Sequence, residues 1–401
     1  MAFDRGGRVD RRAGFGLIET QENNMLRILA AEPYYGGSHR AFLDGWRQVS
    51  RHRWTVVGLP AHKWKWRMRH APVTLAEELC RTAATGGEFD LMFCSDMLNL
   101  AEFKGLAPRN VRELPSVAYF HENQLTYPVR FPDQRDLHFG FTNFTTALAA
   151  DRVWFNSAFH RDSFLRALAD LLRGMPDYNE GRQLDPLQAK SEIRPPGIER
   201  MPDRIDRKPG PARLLWVARW EFDKNPELFF DALCRLHENG TAFRASVLGE
   251  IFAEVPPVFA EARARLREHI DHWGFLESRD DYVAALMDAD IVVSTADHEF
   301  FGVSVLEAAA AGCWPVLPNR LAYPELFGSE KLTDSAEFFY DGTREGLAAR
   351  LTDLTGRVQH DELWGNDSNR IRRITEPYWW EHLAPRLDDA LEEIARGGPR
   401  R

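Results

Sequence analysis

The stretch that decides the predicted fold is DHEFFGVSVLEAAAAG, residues 297–312, together with the apolar run 290–295 that precedes it. The apolar run predicts a buried strand, and the alanine-rich segment predicts a helix that ends at Gly312. A strand, a glycine turn and a helix start in succession are typical of the ligand-binding edge of an open parallel sheet. We therefore expect an α/β fold with a ligand site at Gly302.

Two carboxylates lie on either side of this turn, Glu299 before Gly302 and Glu307 inside the helix. Each can accept hydrogen bonds from the hydroxyls of a sugar or a ribose. Gly302 lets the backbone approach a ligand, and the free N–H groups at the helix start suit a phosphate. The structural alternative is a glutamate that the helix dipole favours and a glycine that only forms a turn.

Length and composition limit the class of protein. With 401 residues, 44% of them hydrophobic, the chain can form two cores of ordinary domain size. No apolar run reaches the 18 or so residues of a membrane span, so we expect no membrane partner. The four cysteines are far apart and lack metal-ligand or redox spacing, which indicates reduced thiols in a cytoplasmic protein.

Charge is distributed unevenly along the chain, whose net charge is −9. Residues 1–200 carry 27 Lys and Arg against 24 Asp and Glu, whereas the remainder carries 24 against 36. A surface for an anionic partner is therefore expected in the first half. Residues 1–24 contain several arginines but no apolar segment of the signal-peptide type, and we expect a disordered tail there.

The first half begins with a second strand, glycine turn and helix. An apolar strand over 26–31 leads to Gly36 and Gly37, and a helix is predicted over 41–49. The two glycines are candidates for a phosphate cradle, with Ser38 as a helix cap.

A further predicted strand, 116–120, ends in a polar cluster that starts at His121. A histidine there can act as donor or acceptor near neutral pH, although a structural histidine is the commoner case.

A basic aromatic segment follows the second predicted strand. Within residues 62–70, Lys63, Lys65 and Arg67 alternate with Trp64 and Trp66. Aromatic faces stack on unpaired bases and the neighbouring cations meet phosphates, so this loop predicts contact with single-stranded RNA. The alternative is a solvated loop whose tryptophans fill the core.

A proline-stiffened crossing at 193–198 marks the expected domain boundary, and 174–190 is expected to be an exposed insertion. The second half opens with a strand over 213–218, after which Arg219 and Lys224 stand where a diphosphate would bind. The alternative is a pair of surface cations neutralised by acidic neighbours.

The paired glutamates, seven residues apart, and the Arg219 to Lys224 segment resemble the signature of retaining glycosyltransferases of the GT-B architecture. This resemblance implies two Rossmann-like domains that face each other across a cleft, residues 25–194 and 195–401, with the last helix crossing back to the first domain. It implies that Glu299 holds the donor sugar, that the turn supplies backbone N–H groups, and that Glu307 holds the ribose. Because no Asp-x-Asp motif follows the carboxyl end of a predicted strand, we expect no metal ion and no cofactor.

Three further segments, 32–39, 59–67 and 120–128, occur in order ahead of this signature and resemble the tRNA-queuosine alpha-mannosyltransferase family. The resemblance implies GDP-mannose as donor and, as acceptor, the cyclopentene diol of queuosine in the anticodon of an aspartate tRNA. The predicted catalytic residues are His121 and Glu299. The predicted donor-binding residues are Gly36, Gly37, Arg219, Lys224, Phe301, Gly302, Val303 and Glu307, and the predicted acceptor-binding residues are Lys63, Trp64, Trp66, Arg67, Asn123 and Gln124.

Two alternative functions are consistent with the same residues. The first is a GT-B glycosyltransferase with a lipid or polysaccharide acceptor, whose binding would depend weakly on salt. The second is a non-catalytic module that binds a nucleotide sugar or RNA.

Overall fold

The computed structural model describes residues 25–83, 88–131, 135–203, 209–251, 254–328, 335–365, 367 and 369–397. The tail expected at residues 1–24 lies outside them. The first six strands form one sheet: β1 (Arg27–Tyr35), β2 (Arg53–Pro60), β3 (Leu91–Ser95), β4 (Ser116–Phe120), β5 (Arg152–Phe155) and β6 (Ser191–Ile193). Their order is β2-β1-β3-β4-β5-β6, and all neighbours are parallel. Every residue of β3 and β4 is buried, as expected for a parallel sheet covered on both faces.

Within the described residues, the helices of this first domain are α1 (Gly37–Val49), α2 (Trp64–Ala83), α3 (Leu100–Leu106), α4 (Arg109–Arg112), α5 (Leu137–Ala149), α6 (Ala158–Arg173) and α7 (Leu184–Ala189). Side-chain caps fix where three of them begin. Asn99 accepts from the N–H of Glu102 at the start of α3. Asp136 accepts from the N–H of His138 at the start of α5, and Ser157 accepts from the N–H of His160 at the start of α6.

The second domain repeats the architecture. Its strands are β7 (Ala212–Val217), β8 (Phe243–Leu248), β9 (Ile270–Gly274), β10 (Ile291–Val293), β11 (Trp314–Pro318) and β12 (Phe339–Tyr340). They form a parallel sheet in the order β12-β11-β10-β7-β8-β9. The helices are α8 (Pro226–Glu238), α9 (Val258–Arg265), α10 (Arg279–Asp288), α11 (Val303–Ala310), α12 (Tyr323–Phe327), α13 (Arg344–Gln359), α14 (Arg370–Thr375) and α15 (Trp380–Gly397). The two parallel α/β domains are those expected of the GT-B architecture.

The final helix, α15, packs against the first domain although it follows the second in sequence. Trp380 at its start lies against Phe42 of α1, and it occupies the space beside Gly45 and Gly197, where an added Cβ would come within 2.3 Å of its ring. Asp388, 2% exposed, accepts hydrogen bonds from the Trp46 indole, the Ser50 hydroxyl and the Arg51 backbone N–H at 2.8–2.9 Å. This carboxylate thus ties α15 to the end of α1.

We expect the Asp388→Ala variant to be less stable by about 3 kcal/mol, because buried donors left without an acceptor cost about 1–3 kcal/mol each. Urea unfolding followed by tryptophan fluorescence measures the change. Asp389→Ala is the matched control, since the Asp389 side chain is 67% exposed and pairs with Arg51 at the surface; its cost should stay below about 1 kcal/mol. Equal losses in the two variants would contradict this assignment.

Two expectations about local structure are wrong. The basic aromatic segment is not a loop: α2 begins at Trp64, because Met68, Ala71 and Leu75 of the same helix bury their side chains. The region 174–190 is largely exposed, as expected, although it includes α7, which buries Leu187. Ser38 does not cap α1, whose N-cap is Gly36 without a side-chain hydrogen bond.

Candidate active site

Gly302 forms the turn between β10 and α11 in the left-handed conformation, with φ of +96°. A Cβ at this position would lie 2.9 Å from the ring of Tyr323, so the turn has room only for glycine. The first turn of α11 is anchored by Ser304, whose hydroxyl donates to the Val217 carbonyl at the end of β7 at 3.0 Å. The helix start is therefore held beside the carboxyl end of the central strand.

Lys224 lies on the turn that follows β7 and is 5% exposed. Its Nζ donates to the His298 carbonyl at 2.7 Å and forms ion pairs with Asp223 at 3.0 Å and Glu299 at 3.4 Å. The Thr295 hydroxyl donates to the carbonyl of Lys224 at 2.8 Å, which joins the two loops through the backbone. Lys224 and Glu299, 75 positions apart in sequence, thus meet at one edge of the sheet.

Both members of this pair are charged. Burial alone would lower the pKa of Lys224, but the carboxylates of Glu299 and Asp223 outweigh burial and raise it. Burial would likewise raise the pKa of Glu299, but Lys224, His298, Arg219 and the backbone N–H of Phe301 together outweigh burial and lower it. A small hollow borders both side chains and is lined further by Thr295, Ser304 and Tyr323.

Glu307 lies five residues after Gly302, about one and a half helical turns along α11, and faces α10. Its carboxylate accepts from Arg279 at 2.8 Å and from the Tyr282 hydroxyl at 2.9 Å. Burial raises the pKa of Glu307, and the positive charge of Arg279 opposes that shift. The carboxylate is therefore fixed in orientation.

Phe301, another predicted donor-binding residue, can offer a ligand only its backbone, because its ring is buried against Tyr378.

Residues of the two domains meet around Arg219. Its guanidinium lies over the ring of Tyr127 from the first domain, 5.9 Å from the ring centroid, and pairs with Glu221 at 3.3 Å. The Tyr127 ring also lies 5.9 Å from that of His298, next to Glu299. These contacts place the loop after β4 opposite the donor side of the cleft.

The first turn of α6 makes a second contact between the domains. The Ser157 hydroxyl donates to the Phe300 carbonyl at 2.6 Å, and the His160 ring stacks on the Phe300 ring with 3.9 Å between centroids. The carboxylate of Glu325 accepts from the backbone N–H of Ala158 at 2.9 Å, at the positive end of the helix dipole. The loop that carries Glu299 is thus supported by the first domain.

His121 directly follows β4, and its backbone is held at both ends. Its N–H donates to Asp96 Oδ1, and its carbonyl accepts from the Asn156 side chain, each at 2.9 Å. Its Nε2 is buried and, among the described residues, has no hydrogen-bond partner. Burial and the charge on His39 lower the pKa of His121 well below its usual value. His121 is therefore an uncharged imidazole with a polar atom free for a ligand.

Among the described residues, one group of three has the composition of a metal site: Glu32, His39 and His121, whose ligand atoms all lie within 4.8 Å of one another. Their geometry favours hydrogen bonding over coordination. The His39 and His121 rings stack with 4.0 Å between centroids, whereas imidazoles that share an ion point their ring edges at it, and His39 Nδ1 already faces Glu32 at 3.2 Å. We assign no metal to this group, and a metal-free reaction remains a prediction.

The glycines of the first turn differ in their surroundings. Gly37, with φ of +51°, has open space where a Cβ would be, whereas a Cβ on Gly36 would lie 2.4 Å from that of Ala61. Both begin α1 at the carboxyl end of β1, on the same edge as His121. Gly36 is required for packing against the loop after β2, and Gly37 leaves the helix start accessible.

The predicted acceptor residues divide into exposed and buried groups. Trp66 is 62% exposed and lies against His70, whereas Trp64 packs on Phe139 with 5.2 Å between ring centroids. Lys63 is exposed, and Arg67 donates to the Pro60 carbonyl at 2.9 Å.

Two other predicted acceptor residues shape the loop after β4. Asn123 is fully buried, and its amide bonds Thr126 and the backbone of Leu125. Gln124 is nearly buried and donates to Glu122 at 3.0 Å. In this structure the side chains of Asn123 and Gln124 hold the loop itself.

Sequence reasoning did not assign a role to five residues of the cleft: Glu32, His39, Asp96, Tyr127 and His160. Glu32 lies near the carboxyl end of β1, Asp96 directly follows β3, and Tyr127 lies in the loop after β4. His39 and His160 lie in the first turns of α1 and α6, and all five are near the edge that parallel sheets present to ligands. Glu32, His39 and Tyr127 lie in the segments 32–39 and 120–128 that the sequence indicates as important. The contacts among the five residues, however, depend on which strands are neighbours in the sheet.

Two facing parallel α/β domains, with a buried lysine paired with a part-buried glutamate at the glycine turn, define a glycosyltransferase of the GT-B class. The solved structures agree on the fold. Sucrose-phosphate synthase from Thermosynechococcus elongatus superposes with a TM-score of 0.67 at 13% identity, covering 93% of this chain and all of that one. Anabaena HepE in complex with UDP gives 0.65 at 15% identity, covering 92% of this chain and all of that one.

Sequence comparisons narrow the class to a family. Residues 27–198 match the model for the tRNA-queuosine alpha-mannosyltransferase N-terminal domain, and residues 198–366 match glycosyl transferases group 1. A tRNA-queuosine alpha-mannosyltransferase from Drosophila melanogaster is 39% identical over 321 residues, which are 77% of this chain and 84% of that protein. The chain belongs to the tRNA-queuosine alpha-mannosyltransferase family, and it is an enzyme that transfers a glycosyl group.

A more distant relative is 25% identical over 46% of this chain and 45% of its own length: a GDP-mannose-dependent alpha-(1-6)-phosphatidylinositol dimannoside mannosyltransferase from Mycobacterium tuberculosis. Within the described residues, none of the helices combines the length and apolarity needed to cross a membrane.

Proposed function

We propose that this protein transfers mannose from GDP-mannose to queuosine in the anticodon of aspartate tRNA, with retention at the anomeric carbon. The observation that carries the proposal is the part-buried ion pair of Lys224 and Glu299 beside the Gly302 turn, in a chain of this family. We further propose a cytoplasmic location, which the four free cysteines support.

The donor site follows from the charges at the edge of the second sheet. The departing diphosphate gains negative charge as the glycosidic bond breaks, and Arg219 and Lys224 can stabilise it without a metal ion. Glu299 and Glu307 then accept hydrogen bonds from hexose and ribose hydroxyls, and the N–H groups of Gly302 and Val303 face the phosphates. His121 contributes a neutral imidazole from the opposite domain.

The acceptor surface is the first half of α2. Between residues 61 and 76 the sequence has four cations, Lys63, Lys65, Arg67 and Arg69, and no acidic residue. Trp66 is the exposed aromatic of this segment, whereas Trp64 holds the helix to α5 through Phe139. Trp64 packs in the same small cluster as Tyr34, which follows Glu32 at the carboxyl end of β1, so the basic helix begins beside the cleft. We assign base stacking to Trp66 and phosphate contact to its cationic neighbours.

Thermal unfolding identifies the donor, because a ligand bound only to the folded protein stabilises it. We expect GDP-mannose to raise the melting temperature more than UDP- or ADP-linked hexoses at equal concentration. Queuosine-containing tRNA incubated with protein and GDP-mannose should then shift on an acid-urea gel. If another nucleotide sugar raised the melting temperature and GDP-mannose did not, GDP-mannose would be excluded as the donor. If the protein modified a lipid instead of tRNA, queuosine-tRNA would be excluded as the acceptor.

Trp66→Ala should raise the Kd for tRNA by about 10-fold, since stacking on one base contributes about 1–3 kcal/mol. Kd is measured by filter binding at a fixed salt concentration, with Tyr178→Ala as the control. Tyr178 is 87% exposed and lies beyond the end of α6, away from the basic helix. Equal effects of the two substitutions would argue against the assigned stacking surface.

A further inference from the structure

A buried ion pair lies behind His121 and has no role in the donor or acceptor contacts described above. Glu32, at the carboxyl end of β1, is 1% exposed, and His39, in the first turn of α1, is 6% exposed. Their side chains meet at 3.2 Å between Glu32 Oε2 and His39 Nδ1. Burying a carboxylate next to an imidazole in this way favours the protonated ring.

The Glu32 carboxylate is fixed on its other oxygen as well. Its Oε1 accepts from the backbone N–H of Tyr34 and from the hydroxyl of Ser95, each at 2.9 Å. Three hydrogen bonds from β1, α1 and the end of β3 therefore hold it in one orientation. Such a carboxylate is an orienting group and not one that is free to bind substrate.

His39 in turn contacts His121 through its ring face. The two centroids are 4.0 Å apart with 32° between the ring planes. The backbone of His121 is held by Asp96 and Asn156, its ring lies against His39, and its Nε2 is buried without a partner. An unpartnered buried nitrogen at the carboxyl end of a strand needs a hydrogen-bond partner from a ligand.

We propose that Glu32 and His39 are positioning residues for His121: Glu32 keeps His39 protonated, and the His39 cation keeps the His121 ring uncharged and oriented, so that Nε2 bonds a hydroxyl of the bound hexose. The inference rests on the proposed function for the identity of that hydroxyl. The ion pair and the stacked rings are properties of the protein without substrate.

The charges around the two rings agree with this assignment. Burial alone would lower the pKa of His39, but the charge of Glu32 and its hydrogen bond outweigh burial and raise it to about 9. His39 is thus protonated at pH 7 and loses its proton as the pH rises through 9, whereas His121 stays neutral. Burial raises the pKa of Asp96 well above its usual value. The titratable groups that face the pair are Glu32, Tyr34, Asp96, Tyr119, Glu122 and His160.

The direct test is the titration of His39 by NMR in ¹³C,¹⁵N-histidine-labelled protein, with the resonance assigned by its loss in His39→Gln. We expect a midpoint near pH 9 in the wild type. Glu32→Gln replaces the carboxylate with an amide of the same shape and no charge. Burial then dominates the pKa of His39, and its titration midpoint should fall by about two pH units or more. Ser95→Ala is the matched control, because it removes a hydrogen bond from the same carboxylate and leaves its charge; the midpoint should stay near 9.

Activity gives the second readout. At pH 8 Glu32→Gln should lower kcat by about 10- to 100-fold, the range that loss of one hydrogen bond to a charged group covers. Acidification to pH 6 should restore part of that loss by protonating His39, whereas the wild type should vary little between pH 6 and 8. Ser95→Ala should keep most of the wild-type rate and show no such rescue.

A wild-type His39 that titrates near pH 6.5 would overturn the proposal. So would a loss of kcat in Glu32→Gln that is equal at pH 6 and pH 8 and is matched by the loss in Ser95→Ala. The NMR measurement needs no substrate. A failure of the mannosyl-transfer assay together with a His39 midpoint near 9 would therefore reject the proposed function and leave the ion pair intact.

Discussion

Lys224→Met should lower kcat by about 100- to 1,000-fold, the usual cost of removing one preorganised donor from a site where charge develops. Nζ of Lys224 is the only cation among the described residues that pairs with Glu299. It is buried, so its interaction with a departing diphosphate is screened little by solvent. Methionine is close to the lysine stem in length and removes the ammonium group, with its charge and its hydrogen bonds to the His298 carbonyl and Glu299. Steady-state kinetics with GDP-mannose and queuosine-tRNA measure the loss.

The same substitution also destabilises the protein, since it leaves the carboxylates of Asp223 and Glu299 without their partner. Lys104→Met separates the two effects. Lys104 is a part-buried lysine of the first domain that donates to Ser116, at the amino end of β4, and lies near Asp151. It should lose stability but keep kcat within about threefold of the wild type, because it lies at the opposite end of the sheet from the ligand edge. A loss of kcat in Lys104→Met as large as in Lys224→Met would mean that folding, not catalysis, accounts for both.

The sequence predicts most of the sheet framework. The observed bounds of β4 equal the predicted ones, because it is a short, largely apolar run bounded by turn residues. The sequence does not predict the strands β6, β9 and β12. β9 has exposed polar residues and β12 has two residues, so neither leaves a periodic signal, and both form because a neighbouring strand offers an edge.

Helix α2 shows where local patterns fail. Its alternating cations and tryptophans, followed by Pro72, favour a loop, yet the segment is helical from Trp64. The deciding contacts are tertiary: Trp64 and Met68 pack with Phe139 of α5, 75 residues after Trp64. Propensity is a weak guide when such burial is available.

The residues of the candidate site likewise divide into those that local sequence patterns predict and those that only the tertiary structure brings together. Glu299, Gly302, Glu307 and Lys224 carry recognisable spacing within their own segments, and the structure brings Lys224 against Glu299. The cluster of Glu32, His39 and Asp96 has no such spacing. It exists because β3 lies between β1 and β4 in the sheet, an order that the sequence of strands along the chain does not reveal.

Glu299→Gln should lower kcat/KM by about 100-fold or more, because hydrogen bonds to a charged acceptor contribute about 1.5–3 kcal/mol each. Asp297→Asn is the control in the same loop: its side chain is 53% exposed and pairs with Arg320, so the rate should change by less than about threefold. Retention of most of the activity in Glu299→Gln would remove Glu299 from the site.

The double variant Lys224→Met/Glu299→Gln then tests whether the two residues act as a pair. Residues in direct contact are not additive, and removing both charges leaves fewer buried ions without a partner than removing Lys224 alone. We therefore expect the double variant to melt at a higher temperature than Lys224→Met, and its kcat to fall by less than the product of the two single losses. Strictly multiplicative losses would mean that Lys224 and Glu299 act on separate parts of the donor, the diphosphate and the hexose, without depending on each other for position.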